Sequence, residues 1–335
     1  MFTSAERVLD YIDTEQEIPK NNNDTGGNQS TLLLHEVAND KFSNNVQKTK
    51  DNSSKGSADN LGGDIEMAGS TQAMSALSGQ HITARYKPEL PPVLKSISFQ
   101  LHRGRLVGVC GRSGSSKSSL AMLIAQAFPN IEGGILSLDG NNALELSLTI
   151  YRTRIAIFPQ DSFIFSGKLR DYLDPNRDYT DIELNSLLLD LTKASGKESE
   201  MKSNVLALSL NLDNEIASGG SNLSAGEKQI AVLARAALTR ATHIVVLDEI
   251  TSNMDRESAV RALLVLKARL VKAKKLAVLV IAHNLDDIIA CDEVWVMKDG
   301  VIIEKGDPQE LISQNISYRA SSFKEMWSIH HSHAE

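Results

Sequence analysis

Eight residues, Gly111-Arg-Ser-Gly-Ser-Ser-Lys-Ser118, constrain this chain more than any other feature. They follow the apolar run Leu106–Cys110 and precede Ser119–Phe128, a stretch of helical character. A strand, a Gly/Ser loop and a helix in that order turn successive backbone N–H groups inward, where they cradle phosphate oxygens. The helix N-terminus adds its partial positive charge. Gly111, Arg112, Ser113, Gly114, Ser115, Ser116 and Ser119 would line such a cradle. Lys117 would reach the β- and γ-phosphates, and the Ser118 hydroxyl would ligate Mg²⁺. The usual pattern has glycine immediately before the lysine, and here that position is Ser116. Glycine takes unusual dihedrals at no steric cost, whereas serine there is expected to carry strain of about 1–3 kcal/mol. Alone, the eight residues also read as a Gly/Ser turn ahead of a helix.

The remaining pattern supplies context. Val93–Phe99 alternates like a strand, and Ile135–Leu138 and Ile155–Phe158 read as further strands. Ile244–Leu247 and Val278–Ile281 are β-branched runs of the length of parallel strands buried on both faces. Val294–Met297 and Val301–Glu304 flank Lys298-Asp-Gly300, a hairpin signal. Between Lys168 and about Asn211 the pattern turns helical. Strands alternating with helices predict an α/β domain with a mostly parallel core sheet, and the helical insert predicts a second lobe.

Two further segments carry chemistry. Ile244-Val-Val-Leu-Asp248-Glu249 is an apolar strand ending in two carboxylates, where parallel sheets bind ligands. Asp248 is placed to hold a Mg²⁺ shell and Glu249 to polarise an attacking water, although a solvated acidic turn would look the same. Leu223-Ser-Ala-Gly-Glu-Lys-Gln229 follows Gly219-Gly220 and opens a helix expected from about Gly226 to Leu238. It reads either as an anion site or simply as an N-capped helix.

In order and spacing these segments resemble the nucleotide-binding domains of ABC transporters, over about Ile82 to Ala320. The resemblance implies that Tyr86 stacks on adenine and that Gly111–Ser118 is the Walker A loop. Gln160 would contact Mg²⁺ and sense a transmembrane partner. Leu223–Gln229, with Ser224 and Gly226, would be the signature that caps ATP held by an opposite subunit. Asp248 and Glu249 would be the Walker B aspartate and the catalytic base, Ser252–Asp255 the D-loop, and His283 the switch histidine at the γ-phosphate. Tyr86–Lys95, Arg154–Gly167 and Leu173-Asp-Pro175 are similar to the second nucleotide-binding domain of subfamily C, the multidrug-resistance-associated group. Ala225 stands where the signature has its first glycine, a position that tolerates small residues in that group.

The implied architecture is a P-loop core with a mostly parallel sheet, an antiparallel β lobe and a helical lobe at about 165–235. Residues 1–20 would lead from a transmembrane region, 21–79 form a polar linker, 80–325 the ATPase domain and 326–335 a tail. Asn, Ser, Gly, Asp and Lys dominate from Asn21 to about Ser78, too polar to offset their ordering entropy. ATP and Mg²⁺ are the expected ligands. A second nucleotide-binding domain and transmembrane domains, in this or another chain, are the expected partners.

Bulk properties narrow the classes. A net charge of −7 argues against nucleic acid as a partner and against ATPases that work on ribosomes or chromosomes. The two cysteines, Cys110 and Cys291, give no disulfide framework, and Cys110 reads as a small buried hydrophobe. No run reaches the ~18–20 apolar residues of a membrane span. The chain is thus expected to be soluble by itself and to sit at the cytoplasmic face of a membrane through domains it lacks. ATP hydrolysis driving export is the leading function, and a non-hydrolysing ATP-binding regulatory module is the alternative.

Overall fold

The computed structural model describes residues 75–192, 210–313 and 322–332. The lead segment expected over residues 1–20 and residues 21–74 of the expected linker lie outside the described residues, whereas residues 75–79 of that linker are strand, with Ala76 and Leu77 fully buried. The strands are β1 (Ser75–Arg85), β2 (Leu94–His102), β3 (Leu106–Cys110), β4 (Asn130–Glu132), β5 (Ile135–Leu138), β6 (Asn141–Asn142) and β7 (Ile155–Phe158). They continue as β8 (Gly167–Lys168), β9 (Glu215–Ile216), β10 (Ile244–Asp248), β11 (Ala277–Ile281), β12 (Glu293–Lys298) and β13 (Val301–Gly306). The helices are α1 (Lys117–Ile124), α2 (Leu148–Arg154), α3 (Leu169–Leu173), α4 (Asp181–Thr192), α5 (Ala225–Ala237), α6 (Arg256–Leu266), α7 (Leu285–Ile288), α8 (Pro308–Ser313) and α9 (Ser322–Ser332).

Six strands form the central sheet in the order β13-β12-β3-β11-β10-β7. Every neighbouring pair is parallel except β12–β13, an antiparallel edge hairpin. Each residue of β3, β10 and β11 is buried, as expected for strands covered on both faces. Successive side chains point to opposite faces, so these strands feed two cores. Val107, Val109, Val246, Leu279 and Ile281 face α1 and the antiparallel sheet built from β1, β2 and β5. Leu106, Cys110, Val245, Leu247, Val278 and Val280 face the helical side, with Leu187, Leu191, Leu233 and Leu263.

The Asp299-Gly300 turn matches the expected hairpin. Both residues have positive φ, 50° and 82°, the geometry that suits the twist of antiparallel strands. A Cβ on Gly300 would meet the Val93 carbonyl oxygen at 2.2 Å, so only glycine fits. The first helix differs from the sequence reading. It starts at Lys117 and ends at Ile124, not Phe128, because Gln126 turns left-handed at φ 51° and Phe128 folds back into the core. Among the described residues the central helical stretch holds two helices, α3 and α4. Leu184, Leu187, Leu188 and Leu191 of α4 are buried, while Leu189 and Ile182 are exposed. No helix among the described residues is long and apolar enough to cross a membrane.

Candidate functional site

Four neighbouring strands of the central sheet carry the expected residues at or just beyond their C-terminal ends. The Gly111–Ser118 loop leaves β3, His283 follows β11, Asp248 ends β10 with Glu249 next to it, and Gln160 follows β7. Parallel sheets bind ligands along this edge. Strand order, not sequence order, lays the residues in a row, with the histidine between the glycine loop and the two carboxylates.

The loop is shaped for close approach. A Cβ on Gly111, at φ 153°, would meet the Met297 carbonyl oxygen at 2.2 Å. Gly114, at φ 80°, borders open space. Ser116 occupies the left-handed region at φ 72° and ψ 29°, at the N-cap of α1, and its side chain makes no capping bond. The glycine-like dihedral expected from its position is therefore present, carried by a residue with a Cβ. The Lys117 ammonium donates to the carbonyls of Gly111 at 2.9 Å and Arg112 at 3.4 Å. Burial lowers its pKa, and Glu249, Cys110 and Asp248 pull the other way. Ser115 is buried and its hydroxyl has no protein partner. Arg112 and Ser113 lie exposed on the loop.

The carboxylates face this loop. Burial raises the Asp248 pKa to about 6, against the opposing effects of a Ser118 hydrogen bond and the Lys117 charge. Asp248 Oδ1 is buried without a partner. Glu249, at φ 53°, is another non-glycine residue in the left-handed region. Its amide donates to the Ile281 carbonyl at 2.9 Å, and its Oε1 lies 3.3 Å from His283 Nε2. His283 is 53% exposed and Glu249 10%. Gln160 is exposed beyond β7.

Tyr86 approaches from the antiparallel sheet. Its hydroxyl lies 2.9 Å from Ser119 Oγ and its ring centroid 5.0 Å from that of Phe128. Ser224 and Gly226 are not on the row; they open α5 on the helical lobe. Ser224 caps that helix in a reciprocal box, with its hydroxyl and amide each 2.7 Å from Glu227 Oε2 and the Glu227 amide 3.3 Å from Ser224 Oγ. The N-capped helix of the sequence reading is present, one residue earlier than expected.

Sequence reasoning passed over Thr251, Asp286 and Asp287. Thr251 donates to Asp287 Oδ2 at 2.7 Å, and all three residues are buried. Asp286 pairs with Arg256 at 2.7 Å and with His330 and His331 of α9 at 3.5 and 3.3 Å. In sequence the two aspartates look like ordinary first-turn acids of a helix, and only their burial marks them.

The loop and the carboxylates suit a Mg²⁺–polyphosphate. Orphaned buried oxygens on Ser115 and Asp248 stand at a glycine-shaped cradle beside a buried lysine. Oxygen ligands of this kind are what Mg²⁺ prefers.

Residues 94–252 match the family model described as "ABC transporter". The chain is 37% identical over 234 residues to ATP-binding cassette sub-family C member 2 of Rattus norvegicus, covering 70% of this chain and 14% of the relative. It is 34% identical over 242 residues to ATP-binding cassette transporter abc1 of Schizosaccharomyces pombe, covering 72% of this chain and 17% of the relative. Identity to sub-family C member 8 of Rattus norvegicus is 35% over 242 residues, 72% of this chain and 14% of that one. The chain thus spans 14–17% of the length of these relatives. Among solved structures, "Structure of a bacterial Atm1-family ABC exporter with ATP bound" aligns with a TM-score of 0.62 at 24% identity. It covers 75% of this chain and 41% of that one, and it shows the fold alone.

Proposed function

From the premise that this chain carries an ABC transporter domain, with subfamily C members among its relatives, we propose that it binds and hydrolyses ATP as one half of a nucleotide-sandwich dimer that powers export. The observation that carries this reading is the row of glycine loop, histidine and paired carboxylates on adjacent strand ends.

In this mechanism Gly111–Ser119 cradles the phosphates, Lys117 neutralises their charge, and Tyr86 takes the adenine. Ser118, Gln160 and Asp248 supply the ligands for Mg²⁺. When bound, the ion would supply positive charge to neutralise the phosphate oxygens. Glu249 accepts a proton from the attacking water, and His283, in contact with Glu249, stabilises the transferring phosphoryl group. Ser224 and Gly226, off the row in this chain, close over the γ-phosphate of a partner domain and present an α-helix N-terminus to it. Gln160 and the helical lobe transmit closure to transmembrane domains. Residues 1–20 and 21–74 connect to those domains, and the ATPase runs from β1 to α9, five residues earlier at its start than expected and past residue 325 at its end, with Ala76 and Leu77 buried and Met326 and Trp327 packed on the core. The working location is the cytoplasmic face of a membrane. The transported substrate is set by helices outside this chain.

Ser116 favours the second reading, a regulatory module that holds ATP without turning it over, because it places a Cβ on a left-handed residue where the motif has glycine. Steady-state ATPase measurement with Glu249→Gln separates the two readings. The exporter reading expects turnover by the unmodified chain. It also expects Glu249→Gln to abolish turnover, keep ATP binding and trap an ATP-bound dimer. Hydrolysis by the variant at the unmodified rate would refute the assignment of the base.

A further inference from the structure

Glu249 and His283 lie on different loops, joined directly through the contact of their own side chains. His283 is 53% exposed and touches Glu249 at 3.3 Å, so its position depends on the path of its backbone. Glu249 sits in a left-handed turn that has no intrinsic reason to persist. Backbone bonds give part of the answer: the Glu249 amide donates to Ile281 O at 2.9 Å and the Ser252 amide to Glu249 O at 3.1 Å. Neither bond reaches past Ile281 to the residues that follow His283.

One side-chain contact does. Thr251, two residues past Glu249, donates to Asp287, four residues past His283, at 2.7 Å. Thr251 and Asp287 are 5% and 3% exposed, so water cannot replace this bond. Asp287 belongs to α7, whose start is fixed by Asn284 accepting from the Asp286 amide at 3.0 Å. Asp286 faces the other way, onto Arg256 of α6 and onto His330 and His331 of α9. The carboxyl of Asp287 is thus left to Thr251, and its Oδ1 has no protein partner. Packing alone would favour an apolar residue at such a site, so the buried carboxylate calls for an explanation.

We propose that Asp287 is a positioning residue, whose bond from Thr251 clasps the Glu249 turn to the His283 loop and sets the Glu249–His283 contact. The inference rests on the assignment of those two residues made above. Neither Thr251 nor Asp287 touches substrate in this scheme.

The test uses the full chain with four variants. Thr251→Val and Asp287→Ala break the clasp, whereas Thr251→Ser and Asp287→Asn keep a donor and an acceptor. The breaking variants should lower kcat about tenfold or more with the ATP KM within about twofold, a loss confined to the transition state. The conserving variants should retain kcat within about threefold. The double variant Thr251→Val/Asp287→Ala should lose no more than either single one, because one contact is removed in each case. Multiplying losses, KM shifts that match kcat, or a Thr251→Val protein with unmodified kcat would overturn the proposal. Amide hydrogen exchange gives a readout independent of turnover. Thr251→Val should speed exchange at Glu249 and Ala282, whose amides are bonded to Ile281 O and Val109 O, without lowering the melting temperature of the remaining core. Unchanged exchange refutes the clasp even if the chain hydrolyses nothing, while failure of the Glu249→Gln test with altered exchange refutes only the functional reading.

Discussion

Replacing Asp248 with asparagine should stabilise the protein in the absence of nucleotide and Mg²⁺. Burial raises the Asp248 pKa from an ordinary 3.8 to about 6. About two units at about 1.4 kcal/mol each make the folded carboxylate cost about 3 kcal/mol at neutral pH. A raised folded pKa means that this cost is absent below pH 3.8, grows between 3.8 and about 6, and is complete above. Asparagine removes the charge but adds buried amide donors, which cost about 1–3 kcal/mol if unpaired. That cost does not change with pH, so the pH dependence of the difference isolates the carboxylate. Denaturant unfolding of both proteins in a chelator, at pH 7.5 and pH 4.5, measures it. The stability of the variant relative to the unmodified chain should be about 2 kcal/mol greater at pH 7.5 than at pH 4.5. With ATP and Mg²⁺ present the order should reverse, since ligand stabilises only a protein that binds it. A difference flat with pH would mean that the folded carboxylate is well solvated or paired, and the reasoning from burial would be wrong.

One further substitution and one chemical treatment extend the same physical argument. Ser116→Gly relieves about 1 kcal/mol of left-handed strain but adds about 0.5–1 kcal/mol of unfolded-chain freedom, so the melting temperature should barely move. Without the Cβ at the phosphate approach, titration calorimetry should show ATP·Mg²⁺ affinity rising about fivefold or more, and an unchanged or weaker affinity would show a loop adapted to serine. Burial pushes the Cys110 thiol up to about 12 and raises that of Cys291 as well. Both thiols should therefore resist iodoacetamide at pH 7.5 in the folded chain and react on unfolding, and rapid alkylation of native protein at either position would contradict the buried placement.

The parts of this fold legible in the sequence are those fixed by local pattern. Ile155–Phe158 stands as expected to the residue, and Ile244–Leu247 and Val278–Ile281 each gain one residue, because β-branched runs bounded by polar residues have few other uses. The Asp-Gly turn was equally readable. Adjacency was not. That β11 lies between β3 and β10, and so brings His283 to Glu249, depends on the crossovers, which no single segment encodes. The Thr251–Asp287 contact was invisible for the same reason, and both residue types have commonplace uses in turns and first helical turns.

The backbone of the site was hidden in a different way. Ser116 and Glu249 flank Lys117 and Asp248, and both take positive φ without being glycine. Local preference argues against each of those conformations; at Ser116 the glycine position of the motif pointed to it, whereas at Glu249 nothing in the sequence did. What holds them is non-local. Ser116 is followed directly by a helix whose Leu120, Leu123 and Ile124 are fully buried, and Glu249 by Ile250 and Thr251, both buried. Slack in either loop would require those side chains to leave the core, at about 1.5–3 kcal/mol for each large one, against about 1–2 kcal/mol of strain per residue. The packing therefore wins, and the strained turns persist where the glycine loop and the carboxylate pair face each other. Strain at a residue with a Cβ, next to a buried charge lacking full compensation, is a cost that the surrounding core can sustain and that an isolated segment could not.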